Sequence, residues 1–146
     1  MHLKLTIAYD GTDFHRWQHQ PGMRTVEGSI RQAMAKLGFA YDRIKGASRT
    51  DSGVHAEYQA VSFACERELT ERGWCRALNA KLPDDVVVRA AQPVPSEDDP
   101  RGDASSKIYR YRFYCADTPT PFQPQEERLV GAAIPKRPPP GSLVRE

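Results

Sequence analysis

The first nine residues alternate polar and apolar side chains, and this pattern constrains the fold more than any other feature of the sequence. One face of the segment carries four apolar residues: Leu3, Leu5, Ile7 and Tyr9. A period of two is typical of a half-buried β-strand. The turn residues of Asp10-Gly11-Thr12-Asp13 then end the pattern. The sequence therefore predicts a sheet with one face in the core and the other open.

Two amphipathic segments with helix-start signals follow this strand. Apolar residues recur at helical spacing after Thr25, which can cap the start, and Gly38 stands where a helix would stop. A second helix is predicted to open at Thr70, where Leu69 and Trp74 are spaced for a hydrophobic staple. Both helices present an apolar side that needs a sheet to cover it.

Three further segments predict strands, over residues 59–64, 86–91 and 108–114. The predicted order is a strand, a helix, a loop or short strand, a strand, a helix and two strands. This order favours an α+β fold of the ferredoxin-like (split βαβ) type, an antiparallel sheet with two helices on one face. The open face of the sheet would be free to bind a ligand, which the fold alone does not identify.

The last part of the chain has a different composition. Residues 118–146 hold seven of the twelve prolines and show no helical or strand period. A segment of this kind buries too little apolar surface to offset the entropy of ordering. We therefore expect a folded domain over residues 1–117 and a proline-rich, disordered or diverged tail over residues 118–146.

Composition narrows the class of protein. With 39% hydrophobic and 27% charged residues, the chain has the composition of a soluble globular protein. No run approaches the roughly 18 apolar residues that span a bilayer, and the first nine residues lack the apolar run of a signal peptide. We therefore expect a cytoplasmic protein.

The net charge of +2 is too small to indicate binding to nucleic acid. The three cysteines have no metal-ligand spacing.

A loop rich in small and polar residues, 46–56, carries the first candidate site. Arg49 and Asp51 either pair with each other or face one ligand from the same side of the loop. A nearby arginine favours an ionised carboxylate, which can act as a nucleophile. We expect His55 to be a structural hydrogen-bonding residue, because Gly53 argues against the helix that a metal pair at this spacing would need. The alternative is a surface loop with a capping Asp and a solvated Arg.

The second candidate site is the alternating segment 107–113. Its aromatic residues share one side and its arginines the other: Tyr109, Tyr111 and Phe113 against Arg110 and Arg112. Aromatic rings that stack on bases and arginines that contact phosphates are the ingredients of single-stranded RNA recognition. The alternative is an aromatic core face with a charged solvent face.

Four ordered segments together resemble the A family of tRNA pseudouridine synthases. They are Tyr9-Asp10-Gly11-Thr12 with Trp17-Gln18, Arg49-Thr50-Asp51 with Gly53-Val54-His55-Ala56, Ala77-Leu78-Asn79, and Tyr109 with Tyr111. The resemblance runs from about Leu3 to about Pro121. It implies an isomerase (intramolecular transferase) that converts uridine to pseudouridine in the anticodon stem-loop of tRNA, at positions 38–40. It further implies a homodimer that works without a cofactor, a metal or a membrane.

The resemblance also implies roles for three residues. Asp51 matches the catalytic nucleophile, which attacks either the sugar C1′ or the uracil ring. Tyr109 matches the tyrosine that packs against the base, and Arg49 matches an arginine that helps to hold the extruded nucleotide.

The sequence departs from the family pattern in three places, the first being Arg16, which replaces the family's glycine before Trp17-Gln18. Asp98-Asp99-Pro100-Arg101 stands where an aromatic-His-Ala-Arg element is expected, which would weaken RNA binding by charge repulsion. Family members also carry a second, similar domain that supplies an arginine partner for the nucleophile, and nothing in residues 118–146 resembles it. Three hypotheses therefore remain. The chain is a synthase completed by another chain, an inactive RNA-binding half-domain, or a truncated product without function.

Overall fold

The structure, a computed structural model, describes residues 1–110 of the 146-residue chain. The chain divides into two compact units, Met1–Asp103 and Ala104–Glu146. The first unit holds six elements of regular structure: β1 (His2–Tyr9), α1 (Val26–Leu37), β2 (Lys45–Gly46), β3 (Ala56–Ala64), α2 (Glu71–Asn79) and β4 (Val86–Pro93). A short 3-10 turn, Gly11–Asp13, follows β1. In the second unit, residues 104–110 form neither a helix nor a strand.

The four strands form one antiparallel sheet in the order β2-β3-β1-β4. The strand β1 lies inside the sheet, where Leu5 pairs with Val61 of β3 on one side and with Ala91 of β4 on the other. Up to the end of β4, strands and helices follow one another as the sequence pattern predicts, and the α+β fold class is confirmed.

The apolar face of β1 forms the centre of the core. Leu3, Leu5 and Ile7 are 0% exposed. Buried residues of both helices join the same cluster: Ile30, Ala33 and Met34 of α1, and Trp74 and Leu78 of α2. The two helices therefore pack on one face of the sheet, while alternate residues of β1 on the opposite face stay partly exposed.

Both predicted helix starts are confirmed by their caps. The Thr25 side chain accepts a hydrogen bond of 3.0 Å from the Gly28 N–H, and the Thr70 side chain accepts one of 3.0 Å from the Gly73 N–H. Gly38 closes α1 in the left-handed conformation, with φ of 68°. These caps satisfy backbone groups that a helix end leaves without a partner.

The last residue of α2 protects the edge of the sheet. The Asn79 side-chain amide donates to the Val88 carbonyl at 2.9 Å, and its oxygen accepts from the Val88 N–H at 2.7 Å. Because β4 is an edge strand, these backbone groups face away from β1 and would otherwise lack a partner in the sheet. Asn79 thus ties the second helix to the outer strand.

Two of the predicted strands differ from the structure. The strand β3 begins at Ala56, earlier than the predicted residue 59, because its first residues still pair with the end of β1. The predicted strand over 108–114 is not present in its described part, 108–110, because no described strand pairs with it. Its remainder, the boundary after residue 117 and the predicted tail over 118–146 lie outside the described residues.

Within residues 1–110, no helix is long and apolar enough to cross a membrane.

Candidate active site

The loop between β2 and β3 carries Asp51, and main-chain bonds hold it on both sides of that residue. The Trp17 N–H donates to the Thr50 carbonyl at 3.0 Å, and the Gly53 N–H donates to the Phe14 carbonyl at 3.3 Å. The loop therefore rests on the segment that leaves β1, with Asp51 between two anchored residues.

A tight turn presents Asp51 to solvent. The Asp51 carbonyl accepts a hydrogen bond of 3.3 Å from the Val54 N–H, and Gly53 inside the turn has φ of 77°. This backbone conformation favours glycine over residues with a Cβ atom. Asp51 is exposed, and its carboxylate makes no hydrogen bond or ion pair with another residue of the described part. The carboxylate is therefore available to a ligand.

Arg49 and Tyr109, the other two predicted site residues, lie in different units of the chain. Arg49 lies on the same loop and is exposed, and no ion pair joins it to Asp51 within residues 1–110. Tyr109 belongs to the second unit, where it is half-buried. The aromatic partners predicted for it, Tyr111 and Phe113, lie outside the described residues. The structure thus places Arg49 and Asp51 on one loop and leaves Tyr109 in a separate unit.

A partly buried pair of hydroxyl groups connects the end of β1 with this loop. The Tyr9 hydroxyl lies 2.7 Å from the Thr50 hydroxyl. Burial raises the pKa of Tyr9 to about 12, and the Thr50 hydrogen bond only partly offsets this effect. Tyr9 is therefore neutral at physiological pH. Its ring centroid lies 6.5 Å from that of Phe14 and 6.2 Å from that of Trp17, so the loop anchor is continuous with the aromatic core.

Gly11 marks the closest approach between the two segments. A Cβ atom built on Gly11 would lie 1.9 Å from the Val54 carbonyl oxygen, a distance that no side chain can accommodate without a shift of backbone. The Gly11 N–H donates a hydrogen bond of 3.0 Å to Nδ1 of His55. This bond confirms the predicted structural hydrogen-bonding role of His55.

Asp10 completes the network around His55. Its Oδ1 accepts hydrogen bonds from the Thr12 N–H at 3.0 Å and from the Thr12 hydroxyl at 2.6 Å, and lies 3.1 Å from Nδ1 of His55. The Thr12 bonds lower the pKa of Asp10, and His55 adds a smaller effect in the same direction. Nδ1 of His55 thus lies within hydrogen-bonding distance of both the Gly11 N–H and the Asp10 carboxylate.

Two buried polar residues that the sequence pattern did not reveal hold the neighbouring loops. Glu27 is 7% exposed, accepts a hydrogen bond of 2.8 Å from the His19 N–H and pairs with Arg31 at 2.8 Å. Gln59 is 5% exposed and donates its side-chain amide to the Ser48 carbonyl. The sequence signal for Gln59 was its inward position on β3, because burial of a side-chain amide without hydrogen-bond partners costs free energy.

The acidic element over 98–99 is partly neutralised. The Lys4 ammonium lies 3.3 Å from the Asp98 carboxylate, and both side chains are mostly buried. The Asp99 carboxylate accepts a hydrogen bond of 3.1 Å from the Arg101 N–H. The Lys4 ion pair offsets the charge of Asp98, whereas Asp99 keeps its negative charge.

Metal ligands do not gather in the part of the chain that the structure describes. Groups of three or more His, Cys, Asp or Glu side chains in a suitable arrangement are absent there. Cys65 and Cys75 are both free thiols.

Comparison with known proteins agrees with the motifs placed above. A family model described as tRNA pseudouridine synthase matches residues 5–99. A protein of Maridesulfovibrio salexigens named tRNA pseudouridine synthase A is 44% identical over 116 residues, which cover 80% of this chain and 43% of the relative. A protein of Methylacidiphilum infernorum with the same name is 44% identical over 119 residues, covering 82% and 47%. The chain spans about half the length of these curated relatives. It belongs to the tRNA pseudouridine synthase family.

Proposed function

We propose that this chain supplies the nucleophile-bearing half of a tRNA pseudouridine synthase that acts on the anticodon stem-loop. One observation carries the proposal: the exposed Asp51 carboxylate sits on a turn whose backbone is anchored on both sides. A nucleophile needs a free carboxylate held in a defined position. The free carboxylate of Asp51 and its anchored backbone support this role, and the residue lies in the segment that resembles the family's active-site loop.

The proposed chemistry rearranges bonds within one nucleotide. The target uridine is extruded from its stack, as chemistry on a base requires. Asp51 then attacks either C1′ of the ribose or the uracil ring, and the bond between C1′ and N1 breaks. The uracil rotates, a bond from C1′ to C5 forms and the bond to the Asp51 carboxylate breaks, while C5 loses a proton and N1 gains one. Substrate and product contain the same atoms, so the reaction consumes no oxidant, reductant or cofactor.

Further residues and partners complete the proposal. The exposed Arg49 is proposed to contact a phosphate of the extruded nucleotide, and Tyr109 is proposed to pack against its base. The family resemblance supports both roles, together with a cytoplasmic homodimer. It also supports a second half of the site that comes from outside residues 1–110.

A tritium-release assay tests the nucleophile. Purified chain is incubated with tRNA labelled at C5 of uridine, beside the variants Asp51→Ala and Asp84→Ala. Asp84 is an exposed aspartate outside the loop, so its variant controls for loss of charge. Where the unmodified chain releases tritium, Asp84→Ala is expected to release it as well and Asp51→Ala is not. Release that persists in Asp51→Ala would overturn the assignment.

A chimera separates a missing half from an inactive site. Residues 1–110 of this chain are joined to the remainder of a full-length relative, with and without Asp51→Ala. The proposal expects Asp51-dependent release from the chimera even if the chain alone gives none. A folded chimera that binds tRNA but releases no tritium would contradict the proposed activity.

The second candidate function is a catalytically inactive RNA-binding half-domain. It is favoured by the absence, among the first 110 residues, of a basic side chain paired with Asp51. A gel-shift assay with tRNA distinguishes the two candidates when it accompanies the release assay. RNA binding without release, in both the chain and the chimera, would favour this second function.

A further inference from the structure

The open face of the sheet carries an exposed tyrosine beside an arginine. Tyr58 is 71% exposed, and the guanidinium carbon of Arg89 lies 4.9 Å from its ring centroid. The two residues stand on β3 and β4, which are separated by β1 in the sheet. The pair therefore reaches across a whole strand, at the end of β1 that leads into the Asp51 loop anchor.

Local features of the sheet allow this pairing. Tyr58 directly precedes Gln59, which pairs with Ile7 of β1. The pairing of β1 with β4 shifts register between Thr6 and Ile7, which leaves Arg89 as the extra residue of a β-bulge. Bulges redirect side chains, and this one turns Arg89 toward Tyr58.

The chemistry of the pair suits an unpaired nucleotide. An aromatic ring with one face open can stack on any base, and a neighbouring guanidinium can contact a phosphate. Within residues 1–110 no carboxylate pairs with Arg89, so its charge is available to an anion. Asp98, the acidic residue over this face, pairs instead with Lys4 toward the other end of β1.

We infer that Tyr58 and Arg89 form a subsite for an unpaired RNA nucleotide, distinct from the nucleotide at Asp51. Tyr58 follows Asp51 by seven positions, so their α-carbons lie within about 25 Å of each other, the reach of seven extended residues. One RNA loop can span this distance. The inference rests on the proposed function for the identity of the RNA, and the anticodon loop supplies unpaired bases next to the target uridine.

The test measures RNA binding by the full chain, without reference to catalysis. Fluorescence anisotropy follows a labelled anticodon stem-loop RNA titrated with the unmodified chain and with Tyr58→Leu, Tyr58→Phe, Arg89→Gln and Arg72→Gln. Arg72 is an exposed arginine on α2, on the helix side of the sheet, and provides the matched charge control.

The expected pattern distinguishes stacking from charge. Loss of one stacked base by Tyr58→Leu weakens binding about 5- to 150-fold, from stacking worth roughly 1–3 kcal/mol. Tyr58→Phe keeps the ring and binds within about twofold of the unmodified chain. Arg89→Gln weakens binding. It also makes the negative slope of log association constant against log salt concentration shallower by about one, whereas Arg72→Gln leaves both unchanged.

Failure of this inference and failure of the proposed function give different results. If Tyr58→Leu binds as tightly as the unmodified chain, with an unchanged circular dichroism spectrum, the subsite is overturned while Asp51-dependent tritium release still supports the function. If the Tyr58 and Arg89 variants weaken binding but Asp51→Ala leaves tritium release unaltered, the subsite stands and the proposed nucleophile falls. A chain that binds no RNA at all overturns the subsite.

Discussion

The Gly11 N–H and Nδ1 of His55 lie 3.0 Å apart, and this hydrogen bond joins the turn after β1 to the residue that precedes β3. The two strands are themselves paired, with Tyr9 opposite Ala56. The Asp51 loop therefore closes onto a sheet that is already in register, and its position follows from contacts on both sides.

Loss of the His55 acceptor should weaken the fold. His55→Ala leaves the buried Gly11 N–H without its acceptor, and an unsatisfied buried donor costs about 1–3 kcal/mol of unfolding free energy. His55→Asn offers a side-chain oxygen at a similar distance from the backbone and should restore most of this stability. Urea denaturation of the three proteins measures the effect. Equal stability of the alanine variant and the unmodified chain would show that the bond contributes nothing.

A methyl group on Gly11 should be more damaging than its size suggests. Gly11→Ala places a Cβ atom 1.9 Å from the Val54 carbonyl oxygen, which cannot move without the turn that presents Asp51. We expect a loss of roughly 1–3 kcal/mol, typical of overpacking, measured as a lower midpoint of thermal unfolding. Gly102→Ala is the control, because the atoms nearest to its added methyl group belong to the side chain of Asp99, the closest at 2.9 Å. Equal midpoints for the two variants would contradict this account.

Alkaline pH should destabilise the chain through Tyr9. The pKa of Tyr9 is raised from 10.0 to about 12 by burial, so between these values the unfolded chain releases a proton that the folded chain retains. Stability therefore falls as pH rises from about 10 to about 12, by an amount on the order of 2 kcal/mol.

Tyr9→Phe should remove most of this dependence, at the cost of the hydrogen bond to Thr50. Urea denaturation at a series of pH values measures the slope. Tyr58→Phe, which replaces an exposed tyrosine, should leave the slope unchanged. A steep slope that survives in the Tyr9→Phe variant would assign the alkaline transition to another group.

Removal of the Asn79 amide should loosen the outer strand. Asn79→Ala deprives the Val88 N–H and carbonyl of their side-chain partners, and two such bonds contribute roughly 1–3 kcal/mol. Hydrogen exchange of the Val88 amide should accelerate in parallel with the loss of stability. Arg76→Ala, an exposed substitution on the same helix, serves as the control and should change neither. Unaltered protection of Val88 in the Asn79 variant would exclude the bond as a support of β4.

Much of the fold could be predicted because its signals are local. Alternation in β1 and the caps at Thr25 and Thr70 depend on neighbours in sequence, and the structure confirms each of them. The start of β3 was misplaced because Ala56 is held in the sheet by Tyr9, a residue far away in sequence. Such pairings leave no trace in the local pattern.

The candidate site also combines features with a local signal in the sequence and features that depend on distant residues. The loop with Asp51 could be identified from its residues, but the reason for the glycine at position 11, in the turn after β1, could not. Gly11 is required by the Val54 carbonyl and His55 is oriented by the Gly11 amide, and both relationships join segments about 40 residues apart. Tyr58 gave no signal, because an exposed aromatic residue on a strand acquires meaning only when Arg89 is known to lie beside it.

The anchor of the Asp51 turn consists mainly of main-chain groups, and this has an evolutionary consequence. The bonds from Trp17 to Thr50 and from Gly53 to Phe14 do not depend on which side chains the donors and acceptors carry. Even at Ser48 the contact with Gln59 uses the serine carbonyl. Substitutions at position 48 can therefore diversify the surface of the loop while the backbone of Asp51 keeps its place.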